Sequence, residues 1–244
     1  MATGGAPLRR PRHGREPMTM HIRPSSVYSH DPSDPGPGGL LIRTRVARAA
    51  LAVGATAWMA GLLEGGARIR EEVVPAEIRG SLAFLVGVMA LVVLVLSTNA
   101  TGQGKGRYIA IVELVLLVPA MVWCPLVIAY PDDTPAWVLP FDMCWPLSML
   151  GMLVIGIAVV RVGRYRGLLR WQVLLCGLWL VVAGVGEAVL GDDNGTYPGL
   201  VWLGLSYGIL GLRLAVTPRI ILPAAPSVPS PPPSAPATPS TPMP

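Results

Sequence analysis

The sequence predicts an all-α, polytopic transmembrane helical bundle of six spans with both termini in the cytoplasm (N-in/C-in). Three observations predict it. Hydrophobic residues make up 52% of the 244-residue chain and charged residues only 14%, against about 25% charged in a soluble domain, and the mean hydropathy is +0.55. The apolar residues fall into six continuous runs, each close to the ~20 residues that a helix needs to cross a ~30 Å hydrocarbon layer. The basic residues alternate from one side of those runs to the other.

The first region, residues 1–42, is rich in Pro, Gly, Arg and Ser and has no apolar run long enough to start a core or a signal peptide. It is expected to be a disordered basic cytoplasmic tail, with Met18 or Met20 as alternative starts. The membrane domain is expected over residues 43–219, with spans at 46–63, 81–97, 108–130, 141–162, 168–190 and 198–217. Strands are excluded because the runs are continuous rather than alternating, and an open sheet would leave backbone groups unpaired in lipid. Residues 220–244 end in a chargeless stretch that alternates Pro with small residues. That pattern favours polyproline II over helix, so a disordered Pro-rich cytoplasmic tail is expected.

Orientation follows from the basic residues. Arg43, Arg45 and Arg48 precede the first run, Lys105 and Arg107 the third, and Arg161, Arg164, Arg166 and Arg170 lie between the fourth and fifth, with Arg219 after the sixth. On the opposite side Arg68, Arg70 and Arg79 share a segment with Glu71, Glu72 and Glu77, while the segments around Asp132 and Asp133 and around Asp192 and Asp193 have no basic residue. Positive flanks stay on the side where the chain is made. The formal charge of +5 is therefore read as membrane topology rather than a nucleic-acid surface, because the arginines flank spans and form no stripe with interleaved aromatics.

Chemistry is constrained by what the apolar runs contain. His13, His21 and His30 all lie in the N-terminal tail, so haem ligation by paired histidines, HExxH metal sites and Ser/His dyads are not expected in the membrane, and no cofactor or catalytic residue is assigned. Cys124, Cys144 and Cys176 have no CxxC spacing; Cys124 and Cys144 lie near the outer ends of adjacent spans and are expected as buried thiols, with a disulfide as the alternative. Gly204 to Gly208 spells G-x-S-x-G, but a nucleophile elbow needs a strand-to-helix turn and a His. Gly102 to Gly106 lacks the full phosphate-binding loop and reads as a basic turn.

Two groups of polar residues are out of place in lipid. Glu113 lies inside the third span, where a charge costs on the order of 2.5–3.5 kcal/mol on insertion scales. Arg213 lies at the same depth in the last span, which leads to an expected ion pair, Glu113 with Arg213, as a structural pin, with a proton or ion relay as the alternative. Glu64, Asp142 and Glu187 lie near the outer ends of spans one, four and five. They are expected either as helix-end residues facing headgroups and water, or as an outer acidic cluster that binds a cation. Trp123, Trp137, Trp145 and Trp202 are expected as an interfacial belt near the outer boundary, with Trp58 deeper and Trp171 at the inner one. Pro119 and Pro125 are expected to bend span three. Ala57, Gly61 and Gly65, and Gly204 and Gly208, are expected as close-packing positions between helices.

The stretch from Asp142-Met-Cys-Trp-Pro-Leu-Ser-Met-Leu-Gly-Met-Leu to Arg161-Val-Gly-Arg-Tyr-Arg-Gly167 resembles a segment of small multi-pass membrane proteins of actinobacteria that are functionally uncharacterised. The resemblance covers span four and its basic exit. It implies a bacterial cytoplasmic membrane and carries over no activity and no site residue.

The expected function is that of a non-enzymatic scaffold, sensor or partner subunit. Its partners would be the lipid bilayer, another membrane protein or a second copy, and a cytoplasmic groove for the Pro-rich tail, with no nucleic acid. The alternative is a small cation- or proton-coupled transporter that uses Glu113 and Glu187. A transporter requires both carboxyl groups on one polar cavity, whereas a scaffold requires a filled interior with Glu113 sealed by Arg213.

Overall fold

The structure is a computed structural model that describes residues 37–216 apart from 67, 68, 70, 71, 132, 133 and 166. The two expected tails lie outside the described residues except for residues 37–42. The described helices belong to one unit, Pro35–Pro244.

Every regular element among the described residues is helical. The order is α1 Pro37–Gly65, α2 Pro75–Ser97, α3 Lys105–Ala129, a 3₁₀ turn at Ala136–Val138, α4 Leu139–Val162, α5 Leu168–Gly177, α6 Trp179–Asn194, α7 Thr196–Leu203, a π-helical turn at Gly204–Gly208, and α8 Ile209–Val216. Four of these helices are long and apolar enough to cross a membrane, and five do so when α5 and α6, bent by 48°, are taken as one broken span. The sixth expected span appears as α7, the π turn and α8 in unbroken succession, none of them membrane-length alone.

The expected boundary at residue 43 is corrected: α1 starts at Pro37. The reason is local. Leu40 packs against the core, and its carbonyl accepts a hydrogen bond from the Thr44 hydroxyl one turn later, at 2.8 Å, so the helix gains apolar and polar contacts before the first arginine. The second helix likewise begins before the apolar run, at Pro75, where a proline at the first helical position loses no hydrogen bond.

Neighbours in sequence are neighbours in space. The most extensive packing joins α1 to α2, followed by α3 to α4, α4 to α5, α2 to α3 and α6 to α7, and α8 with the π turn returns to α1. The α1–α2 contact is made by bare backbone. A Cβ on Gly80 would lie 2.6 Å from the Ala57 carbonyl oxygen, and one on Gly61 would lie 2.6 Å from the Glu77 Cα. Gly87 meets Ala50 and Leu51, and Gly54 meets Ala83 and Phe84, in the same way. Two glycines seven residues apart on each helix thus share one seam, so the small-residue stripe lies one step away from the expected Ala57, Gly61 and Gly65 series, with Gly61 in common. Gly156 against Leu174 and Gly177 against Leu153 repeat the device between α4 and α5.

The Arg-rich end is tied by hydrogen bonds across loops. Arg43 donates to the Ser97 hydroxyl, and Arg164 donates to the Thr98 carbonyl at 2.9 Å. Tyr165, buried in the turn between α4 and α5, shares a 2.8 Å hydrogen bond with the Thr98 hydroxyl. Burial pushes its phenol up to about 12, with the Thr98 hydroxyl acting in the opposite direction. The last turn of α2 is therefore held from α1 and from the α4–α5 turn together.

α3 remains one helix through Pro119 and Pro125, and a 48° bend falls at Leu178, between α5 and α6, where no proline stands. Gly177, just before it, lies against the backbone of Met152 and Leu153, so close packing on α4 coincides with the break.

Candidate functional site: a polar layer inside the bundle

Two layers of unlike character fill the interior. The first is aromatic. Trp58 of α1 stands 4.8 Å from Phe84 of α2, 5.7 Å from Trp145 of α4 and 5.0 Å from Trp179 of α6, ring centre to ring centre. Trp145 and Trp179 meet edge to face at 5.7 Å, and Phe84 meets Tyr207 edge to face at 4.8 Å. Each such pair is worth about 0.5–1.5 kcal/mol beyond its buried area. The Trp58 indole N–H donates to Glu77 Oε1 at 2.7 Å, and the Trp179 N–H donates to the Gly199 carbonyl at 2.8 Å.

This corrects the expected aromatic belt in part. Trp145 joins Trp58 and Trp179 inside the bundle, while Trp137 is exposed beside Tyr130 and Phe141 and Trp171 is exposed under Arg170. Trp202 is half-buried and donates to the Leu175 carbonyl at 2.8 Å, which fastens α7 to α5. Sequence reading did not single out Trp179 or Glu77. Trp179 carries no signal beyond its place at the break, and Glu77 was grouped with the outer loop charges although it occupies the first turn of α2.

The second layer is polar and surrounds Glu113. Glu113 of α3 is only 1% exposed, and neither carboxyl oxygen has a hydrogen-bond partner. Its side chain lies against Gly151 of α4, where a Cβ would overlap the carboxyl group. Tyr207 of the π turn is fully buried with its hydroxyl unpartnered, and it lies within electrostatic reach of Glu113 and of Cys176 of α5. Gln172, one turn before Cys176, donates to the Ser206 carbonyl at 3.3 Å, and its own side-chain oxygen is unpartnered. Ser206 returns its hydroxyl to the Trp202 carbonyl at 2.7 Å.

The expected ion pair between Glu113 and Arg213 is not formed as a hydrogen-bonded pair, since both Glu113 oxygens lack partners. Arg213 is half-buried in the last turn of α8. Matching depth along two helices leaves the direction around each axis open, and Glu113 is directed at α4. Of the outer carboxylates, Glu64 and Glu187 are exposed and Asp142 is half-buried, and among the described residues no group of three His, Cys, Asp or Glu side chains is arranged to hold a metal ion. Each of the three lies near a helix end. Cys124 and Cys144 are free thiols that face the Ala120 and Pro140 carbonyls one turn back on their own helices.

No protein-family model, curated protein or solved structure matches this chain. What the site can do therefore rests on its own geometry. It presents one buried carboxyl group, one buried phenol and one amide oxygen, all unpartnered, on three different elements. The G-x-S-x-G stretch is a π-helical turn inside a helical run, not the strand-to-helix elbow that a serine nucleophile requires.

Proposed function

We propose that the chain is a six-span integral membrane protein of a bacterial cytoplasmic membrane, with both termini in the cytoplasm, acting as a non-enzymatic sensor or partner subunit. The sixth span in this reading is α7, the π turn and α8, an apolar succession that packs against α1 and α5. The alternation of arginines from loop to loop supports the orientation. Its partners are the bilayer and another membrane protein or a second copy, with the Pro-rich tail as a cytoplasmic contact.

The observation that carries the non-transport reading is the filled interior. Trp58, Phe84, Trp145, Trp179 and Tyr207 touch one another across the bundle, and Glu113 is buried while Glu187 is exposed, which supports a packed bundle over a cavity shared by the two carboxyl groups. A cation- or proton-coupled transporter is the second reading, favoured by the unpartnered Glu113 oxygens. Proteoliposomes loaded with a pH dye decide between them. The partner reading expects the wild type to move protons no faster than empty vesicles under a pH gradient or a cation gradient; a flux abolished by Glu113→Gln replaces it with transport. Reporter fusions after Thr134 and after Gly167 are expected in opposite compartments, and the same compartment for both would overturn the threading.

A further inference from the structure

The polar layer around Glu113 is built for more than packing. We propose that Glu113 is a proton-binding site in the bundle interior. It stands independently of the partner reading above: it supplies a sensor with its stimulus and would serve a carrier equally.

The geometry supports this in four ways. Glu113 is 1% exposed and neither oxygen has a partner, so a negative charge there must be balanced by something that binds to it. Arg213 does not hydrogen-bond to either oxygen. Oxygen-ligated metal ions take six or more ligands, whereas a single carboxyl group among the described residues serves this layer and no acidic cluster adds to it. A proton needs only one carboxyl oxygen.

The neighbouring helix is shaped around the group. Gly151 leaves bare backbone where the carboxyl group sits, and any Cβ there would collide with it.

The facing element is also specialised. Tyr207 is fully buried with its hydroxyl unpartnered, within electrostatic reach of Glu113. A phenol can donate to a carboxylate and accept from a carboxylic acid. Tyr207 lies in the π turn Gly204–Gly208. One extra residue in a turn re-aims the side chains beyond it by about 100°, one residue's share of a 3.6-residue turn. Gln172 of α5 donates to the Ser206 carbonyl of that turn, which helps hold the irregular backbone in place.

Among the described residues, the π turn presents Tyr207, which lies within electrostatic reach of Glu113 and of Cys176 of α5. From α4 the facing residue is Gly151. Glu77 at the start of α2 is engaged by Trp58 in the aromatic layer.

Infrared difference spectroscopy of the full-length chain in nanodiscs, between mildly acidic and mildly alkaline buffer, tests the proposal directly. The wild type is expected to show a carboxylic-acid carbonyl band that appears on acidification, disappears in Glu113→Gln and moves in frequency in Tyr207→Phe. Gly151→Ala, which pushes a methyl group into the carboxyl group, is expected to shift or split the same band, and this variant carries the test should Glu113→Gln fail to fold. A wild type without such a band, or a band unchanged by both Glu113→Gln and Gly151→Ala, overturns the site. A band that responds to sodium or potassium at constant pH assigns the site to a metal cation and overturns the proton. A band unmoved by Tyr207→Phe removes the phenol from it. Vesicle flux does not enter this readout, so the proton site and the non-transport reading fail separately.

Discussion

Replacing Gly80 by alanine adds one methyl group where two helix backbones touch. That methyl would stand 2.6 Å from the Ala57 carbonyl oxygen, 2.7 Å from the Trp58 Cα and 2.9 Å from the Ala57 carbonyl carbon. All three are backbone atoms, which no rotamer change can move aside. Relief requires α1 and α2 to part by roughly 1 Å, the distance needed to restore carbon–carbon contacts of about 3.5–4.0 Å. Overpacking of this kind costs about 1–3 kcal/mol. The seam links the cost to a second site: Gly54 meets Ala83 and Phe84 on the same interface, so one outward displacement relieves Gly54→Ala as well. The double variant is expected to lose less than the sum of the two singles, with a coupling of about 0.5–3 kcal/mol. Gly184→Ala is the control, because nothing lies within 4 Å of its Cβ position, and alanine is the better helix former. Unfolding in mixed micelles with increasing denaturing detergent, followed by circular dichroism, measures all four. Gly80→Ala as stable as Gly184→Ala, or full additivity with Gly54→Ala, would refute the close-packed seam.

Trp58→Phe keeps a ring between Phe84 and Trp179 but removes the indole N–H that Glu77 accepts at 2.7 Å. The expected loss is about 1–3 kcal/mol, and Glu77→Gln, which retains an acceptor oxygen, is expected to lose less; the unfolding midpoint of each reads the difference. Tyr165 makes stability pH-dependent at the alkaline end. Its phenol is raised from 10.0 to about 12 in the folded chain, so the folded state favours the protonated form. That contribution is complete below the unfolded value and is lost as pH rises through the interval between the two. Thermal midpoints of wild type are expected to fall across this interval more steeply than those of Tyr165→Phe, and parallel curves would count against the buried phenol. Gln172→Ala removes a donor from the Ser206 carbonyl but also an unpartnered buried oxygen. These effects oppose each other, so the expected loss stays near 1 kcal/mol, with a change in Tyr207 ultraviolet absorbance as the sign that the π turn has moved.

Lengths and positions of the helices were legible because each apolar run is long enough to form a membrane-length helix. The six apolar runs coincide with α1, α2, α3, α4, the α5–α6 pair and the succession from α7 to α8, since a run of about 20 apolar residues has few ways to satisfy its backbone except as a helix. The ends were less legible. Residues 37–42 read as part of a Pro/Gly-rich tail, but Leu40 and Thr44 carry α1 back to Pro37. At the other helix entry, Pro75 to Gly80 has two charges, Glu77 and Arg79, and reads as loop; in the fold Glu77 turns inward to Trp58 while Arg79 faces outward.

The site was half legible for a related reason. Hydropathy marks depth along a span, and Glu113 stands out because it is a carboxyl group deep in an apolar run. Direction around the helix axis has no comparable signal when lipid-facing and bundle-facing residues are both apolar. Depth alone paired Glu113 with Arg213 and grouped Glu64, Asp142 and Glu187. The folded chain directs Glu113 towards Gly151 instead. The informative residue was the one with no side chain. Gly151 faces Glu113, and the glycines of the α1–α2 seam face backbone, so these glycines mark the direction of a neighbour, whereas Gly184 and Gly208 meet nothing within 4 Å. That gives a concrete way to assign faces: a Glu113→Cys and Gly151→Cys pair should cross-link within one chain, whereas Glu113→Cys with Arg213→Cys should not, and the reverse outcome would return Glu113 to the last span.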